Sequence, residues 1–270
     1  MPAVITFAFD PLVRIGDSTV RLETLVLAGV ILAAILLVTR IGQITPMAGP
    51  YVPAPTLEPG DLPFLILGVV PGAVLGGRLD YVLVHLDFYT SNPAAILDLG
   101  QGALGLGLAV PGAILGAALI ARLVDAPTDR WLHASVLPML FVLGAGKLAG
   151  VLAASGQGAP SDAPWATAYL GDGPWDSLAA FVPSHPSQVY ETLLSIAILA
   201  VLGLALRAGA FARRDGSALL VGLALWALAR ALVVSTWRDA TVLGPLRAEQ
   251  LILFAVAAGC AIAVRRLRTR

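Results

Sequence analysis

Long apolar runs, each bounded by glycine, proline or charge, dominate this chain. A helix needs roughly 20 mostly apolar residues to cross the hydrocarbon of a bilayer. Seven stretches meet that requirement: about 22–41, 62–86, 101–123, 132–155, 187–207, 216–236 and 247–265. None alternates with a period of two, and each is too long for a barrel strand. Helices satisfy their own backbone groups in lipid, so the pattern predicts seven transmembrane helices in an all-α integral membrane fold. Pro71, Pro111 and Pro138 fall inside these spans, where neighbouring helices tolerate them. The longest polar connection, 156–186, holds Trp165, Tyr169 and Trp175 among turn-forming residues. It predicts a small ordered cap at the membrane interface, outside the cell, between the fourth and fifth spans. The whole of 1–270 reads as a single polytopic domain.

Composition supports lipid as the solvent. The 270 residues are 58% hydrophobic and 13% charged, against about 45–50% and 25% in soluble domains. A net charge of zero gives no footprint for a polyanion, so no nucleic acid partner is expected. The opening MPAVITFAFD has no basic residue ahead of its apolar stretch, which predicts that the first span is retained rather than cleaved as a signal peptide. The lone Cys260 lies in an apolar run without neighbours at metal-ligand spacing, so it predicts neither an intrachain disulfide nor a metal site.

Arginine placement adds an orientation. With the amino terminus outside, Arg40, Arg122, Arg130, Arg207, Arg213, Arg214, Arg265, Arg266, Arg268 and Arg270 lie inside, and only Arg14, Arg21, Arg238 and Arg247 outside. Ten against four follows the positive-inside rule. The carboxyl terminus is then cytoplasmic, and the cap, with Asp162, Asp172 and Asp176, faces out. No internal repeat of the kind that marks many secondary transporters is evident.

Ionisable residues inside spans each cost about 2.5–3.5 kcal/mol on insertion scales. Arg78 and Asp80 in GGRLDYV, Lys147 in LGAGKLAG, Glu191 after SHPSQVY and Arg230 in LWALARALVV are such residues. Arg78 and Asp80 are open to pairing with each other as a brace. Lys147 and Arg230 lie on glycine- or alanine-rich helices with too few carboxylates at their depth to neutralise both. Two such cations suggest an anion held between helices, such as a lipid phosphate. His185, Gln188, Tyr190 and Glu191 form a polar corner where headgroup and outer solvent meet. His85 and His133 read as interface anchors.

Taken together, these motifs resemble one family. SHPSQVYETLL (184–194) is similar to the His-Pro-Ser-Gln-Leu-Tyr-Glu hallmark of bacterial prolipoprotein diacylglyceryl transferases. GGRLDYVLVHLDFYTSNP resembles that family's Gly-Gly-Arg-Leu-Gly-Tyr segment, and GKLAGVLAASGQGAPSDAPWA (146–166) its Gly-Arg-Ile-Gly-Asn signature. FAFDPLVRIGDSTVRLETL resembles the amino-terminal strand-like stretch, and ALWALARALVV and LRAEQLI the Tyr-Gly-x-x-Arg and Gly-Gln segments. The resemblance implies transfer of a diacylglyceryl group from phosphatidylglycerol to the lipobox cysteine thiol of a preprolipoprotein in the bacterial plasma membrane. It implies no cofactor, because the nucleophile belongs to the substrate. It places Lys147 and Arg230 on the lipid phosphate, matches Gly158 to a signature glycine, and leaves Arg78, Gln188, Tyr190 and Glu191 as supporting polar groups.

The sequence also departs from the family. GALGLGLAVPGAILG has no histidine where the family has His-Gly-Gly, a candidate base. Gly150, Ser155, Glu23, Trp226 and Val234 replace an asparagine, a glutamate, a tyrosine, a tyrosine and a glutamate. His185 or Glu23 is the expected substitute base. Two alternatives stay open: a member that keeps the fold and phospholipid binding without catalysis, and a small-solute transporter with helices broken at the three prolines.

Overall fold

The structure is a computed structural model and describes residues 4–44, 57–98, 100–171 and 173–269. Most of the proline-rich connection after the first span, Asp172 and Arg270 lie outside these residues. Seven of its helices are long and apolar enough to cross a membrane. They are α1 (Leu22–Ile44), α2 (Leu62–Val84), α4 (Leu106–Leu123), α5 (Thr128–Ala149), α6 (Ser187–Arg207), α7 (Ser217–Val234) and α8 (Ala248–Arg268), with a short α3 (Leu86–Ser91) after α2. Pro71, Pro111 and Pro138 sit within continuous helices, so the broken-helix transporter reading loses its basis.

The boundaries shift where local chemistry outweighs hydropathy. The third span begins at Leu106, not near 101, because 101–105 is an irregular loop: the Gln101 carbonyl accepts from Arg78 and the Gly105 amide donates to Gly77. The fourth begins earlier, after Pro127, and ends in a 3-10 turn at Gly150–Ala153. Ala154 then turns left-handed at φ 59°, with the Ser155 amide on the Gly150 carbonyl.

Short strands gather at one end of the bundle. β1 (Ile5–Phe7) pairs in parallel with β4 (Thr167–Tyr169), so the amino terminus and the cap lie side by side. β2 (Leu12–Ile15) and β3 (Ser18–Arg21) form a hairpin whose two-residue turn has Gly16 at φ +60°, the sign that such turns favour. That hairpin feeds directly into α1. β5 (Thr241–Leu243) and β6 (Leu246–Arg247) form a second hairpin between α7 and α8.

The buried core lies among α5, α6, α7 and α8: Leu140, Leu219, Leu223, Trp226, Ala227 and Leu253 are all at most 3% exposed. On the outer faces Leu36, Leu67, Leu75, Leu115, Leu204 and Leu232 are open, as expected where lipid is the solvent. α2 and α4 meet through backbone. A Cβ on Gly68 would strike the Gly116 carbonyl, one on Gly72 that of Gly112, and one on Gly76 that of Leu108. The reverse clashes hold for Gly112 and Gly116. Small residues at four-residue spacing allow this approach. The two seams are a short repeat, VPGAVLG at 70–76 and VPGAILG at 110–116, packed antiparallel.

Candidate functional site

The charges inside the spans converge on the cap end. Glu23 opens α1, Lys147 closes α5, Glu191 lies early in α6, Arg230 late in α7, Glu249 at the start of α8 and Asp80 late in α2. Each is within about two helical turns of that end. The polar layer therefore follows from where the helices reverse.

Five of these groups form one buried chain. Glu191 sits between both cations, with Lys147 Nζ 3.5 Å from its Oε1 and Arg230 Nη1 donating to its Oε2 at 2.6 Å. Arg230 Nε and Nη2 also donate to Glu249 Oε1 at 3.1 and 3.0 Å. The Arg230 guanidinium stands 4.7 Å from the Trp237 ring centre and 5.9 Å from that of Trp226. Glu249 in turn stands beside Asp80 against Gly107, and Asp80 Oδ2 accepts the Gly107 amide at 3.0 Å. Carboxylates therefore do neutralise the two cations, contrary to the expectation from spacing alone. Glu249 stands at a span edge, where an acidic residue reads from sequence as interfacial. Asp80 turns to Glu249, not Arg78, because residues two apart on a helix do not face each other.

Arg78 has another task. It donates to the carbonyls of Ile96 (2.7 Å), Gln101 (2.7 Å), Asp98 (2.8 Å) and Ala95, and lies over the Tyr89 ring at 5.1 Å. It holds the loop between α2 and α4 in place.

An open cleft of about 280 Å³ lies between the cap and the helix ends. Lys147, Gly156, Gln157, Asp176, Ser177, Leu178, Trp237, Arg238 and Asp239 line it. Of the two expected cations only Lys147 reaches it, with its side chain 23% exposed, while Arg230 is 4% exposed. Glu23 lies within electrostatic reach of Lys147 and Asp176. Asp176 is held at 2.5 Å by Arg21, which joins the amino-terminal hairpin to the cap.

The remaining expected residues sit around this cleft without lining it. His185 Nδ1 is 3.4 Å from the Tyr190 hydroxyl, which accepts from Trp165 Nε1 at 2.7 Å. Gln188 Nε2 donates to the Tyr169 hydroxyl at 3.2 Å, and its own Oε1 is buried without a partner among the described residues. Burial pushes the Tyr169 phenol up to about 12, so it keeps its proton at any working pH. Gly158 is needed for packing. A Cβ there would collide with the Ser187 hydroxyl, and its carbonyl accepts from Arg238 Nε at 2.8 Å. His85 stacks on Tyr81 with its Nδ1 on the Tyr81 carbonyl, and His133 Nδ1 is buried without a partner among the described residues.

Comparison with known proteins places this arrangement. The profile of the prolipoprotein diacylglyceryl transferase family matches residues 11–265. A phosphatidylglycerol–prolipoprotein diacylglyceryl transferase of Nitrobacter hamburgensis is 30% identical over 82% of this chain and 74% of its own length. That of Trichormus variabilis is 27% identical over 89% and 83%. That of Bordetella avium is 37% identical over 53% and 52%. With seven apolar spans and a match over nearly its full length, the chain belongs to the prolipoprotein diacylglyceryl transferase family.

Proposed function

We propose that this protein transfers the diacylglyceryl group of phosphatidylglycerol to a cysteine thiol of a preprolipoprotein, at the cap end of its bundle. The supporting observation is a cleft between the cap and the helix ends, lined by the partly exposed Lys147, which Glu191 braces at 3.5 Å. In the reaction a thioether S–C bond forms, the glyceryl C–O bond to phosphorus breaks, and glycerol phosphate leaves. Lys147 holds the phosphate and stabilises the charge that stays on it. Glu23, a carboxylate at the same cleft end, takes the thiol proton; His185, turned toward Tyr190, is the less favoured base. The cap then faces outward and the arginine-rich ends face the cytoplasm, by the positive-inside rule.

Saturation of Arg230 by two carboxylates favours a second reading, in which the fold and lipid binding persist without catalysis. The two separate on one assay: purified protein, phosphatidylglycerol and a lipobox peptide, with the thioether product read by mass. Product that disappears in Glu23→Gln and Lys147→Ala supports the transferase. No product, beside an active homologue under the same conditions, sinks it.

A further inference from the structure

We infer that Asp80 is carried as a neutral carboxylic acid whose proton lies in a hydrogen bond to the Glu249 carboxylate, a latch between the α2–α4 pair and the ion-paired helices. First, Asp80 is fully buried, at 0% exposed. Its Oδ2 accepts the Gly107 amide at 3.0 Å, while Oδ1 faces no donor among the described residues. A carboxylate there would be buried with one neutral donor, and burying so poorly answered a charge is costly. Second, the neighbour of the bare oxygen is another carboxyl. A Cβ on Gly107 would lie 3.0 Å from Asp80 Oδ1 and 3.1 Å from Glu249 Oε1, so both oxygens converge on one spot. Carboxyls that share a site resist ionising together. Third, Glu249 is the ionised member, since its Oε1 takes both Nε and Nη2 of Arg230, at 3.1 and 3.0 Å. The proton therefore belongs to Asp80. Fourth, the charge closes. Lys147 and Arg230 give two positive charges and Glu191 and Glu249 two negative, so an ionised Asp80 would leave the buried chain one negative charge in excess.

The surroundings fit a neutral acid. The charged groups that act on Asp80 are Glu249 from α8 and Arg230 from α7, and α4 contributes the Gly107 amide. Arg78, on the same helix as Asp80, is turned to the loop carbonyls. Glycine makes room for the carboxyl: a Cβ on Gly105 would strike Asp80 Oδ2. In the family segments Gly-Gly-Arg-Leu-Gly-Tyr and Gly-Gln, which GGRLDY and AEQ resemble, glycine stands at both carboxyl positions, so the pair is a property of this chain. The bond joins α2 to α8, with α4 held through Gly107. Loss of the proton sets two carboxylates against each other at that junction. The latch therefore holds at acid and neutral pH and opens as the pH rises, the sign of a group that binds its proton in the folded state and releases it on unfolding. It acts whether or not the protein turns over substrate.

The test follows melting temperature and infrared absorption of the full-length protein in neutral detergent, with wild type beside Asp80→Asn, Glu249→Gln and the double variant. Asparagine keeps the acceptor for Gly107 and, like the acid, offers a donor to Glu249. Asp80→Asn is expected to melt like wild type near about pH 6 and to hold its melting temperature to about pH 9, where wild type falls by several degrees. Glu249→Gln should be tolerated, because Asp80 then gives up its proton and supplies the missing negative charge. The double variant removes both carboxyls, strands the cation, and should lose far more than the two single variants together. At neutral pH wild type should show the carbonyl stretch of a protonated carboxyl, and Asp80→Asn and Glu249→Gln should each lose it. An Asp80→Asn protein that melts well below wild type at neutral pH, with the gap closing in acid, needs a carboxylate at this position and overturns the inference. A double variant that is merely additive overturns it as well. If Asp80→Asn does not fold, the infrared spectra of wild type and Glu249→Gln decide. A band lost in Glu249→Gln supports the shared proton, and identical spectra overturn it.

Discussion

Arg78 and Arg230 are both buried near the cap end of a span, and the protein accommodates them in opposite ways. Arg78 is surrounded by four backbone carbonyls and an aromatic ring, all neutral. Arg230 is surrounded by two carboxylates and two indoles. The neutral cage fixes a loop, and losing the arginine frees the loop. The charged cage fixes other charges, and losing the arginine strands them. The same contrast runs through the bundle: α2 and α4 meet through a dry glycine seam, whereas α5, α6, α7 and α8 are tied by ion pairs.

The largest effect should come from removing the stranding cation. Arg230→Met leaves Glu191 and Glu249 buried with only Lys147 to answer them, at a cost of about 3–5 kcal/mol. A large drop in detergent melting temperature is expected, partly restored by adding Glu249→Gln. If Arg230→Met melts like wild type, the charged cage is not what holds this half together. Next comes Gly112→Val, whose Cβ meets the Gly72 carbonyl with no side chain able to yield. Overpacking of this kind costs about 1–3 kcal/mol, and it should weaken the α2–α4 pair selectively. Cross-linking between cysteines placed on the two helices would report it, and unchanged cross-linking would contradict the seam. The smallest effect belongs to Arg78→Lys. An ammonium cannot reach four carbonyls spread over 95–101, so the loss should be about 1.5 kcal/mol, one charged hydrogen bond. It should appear as faster proteolysis within 92–105 before any change in global melting.

Much of the fold was legible because lipid imposes it. Seven runs of sufficient length become seven helices. The third starts late because Ala103–Leu104 serve as loop, which hydropathy cannot separate from helix, and the fourth starts early because its first turn carries Asp129 and Arg130. The VPGA repeat was present in the letters, but its partner is defined only by contact. Lys147, Arg230 and Glu191 stood out because charge in a span is rare. Glu249 and Arg238 did not, since flanking charges are ordinary at span ends, and only the coordinates show one turned inward and the other turned into a cleft. Arg78 was singled out by its charge alone, and its carbonyl partners carry no sequence signal.

The pairing of Ile5–Phe7 with Thr167–Tyr169 has a consequence for biogenesis. The first strand leaves the ribosome well over a hundred residues before its partner, a gap on the order of ten to thirty seconds at about 5–20 residues per second. During that time it has no mate. Four spans lie between the two strands, and only an even number brings both to the same side of the bilayer. A chain that skips one span leaves the strand unpaired, so this three-residue ladder can close only after all four spans have crossed.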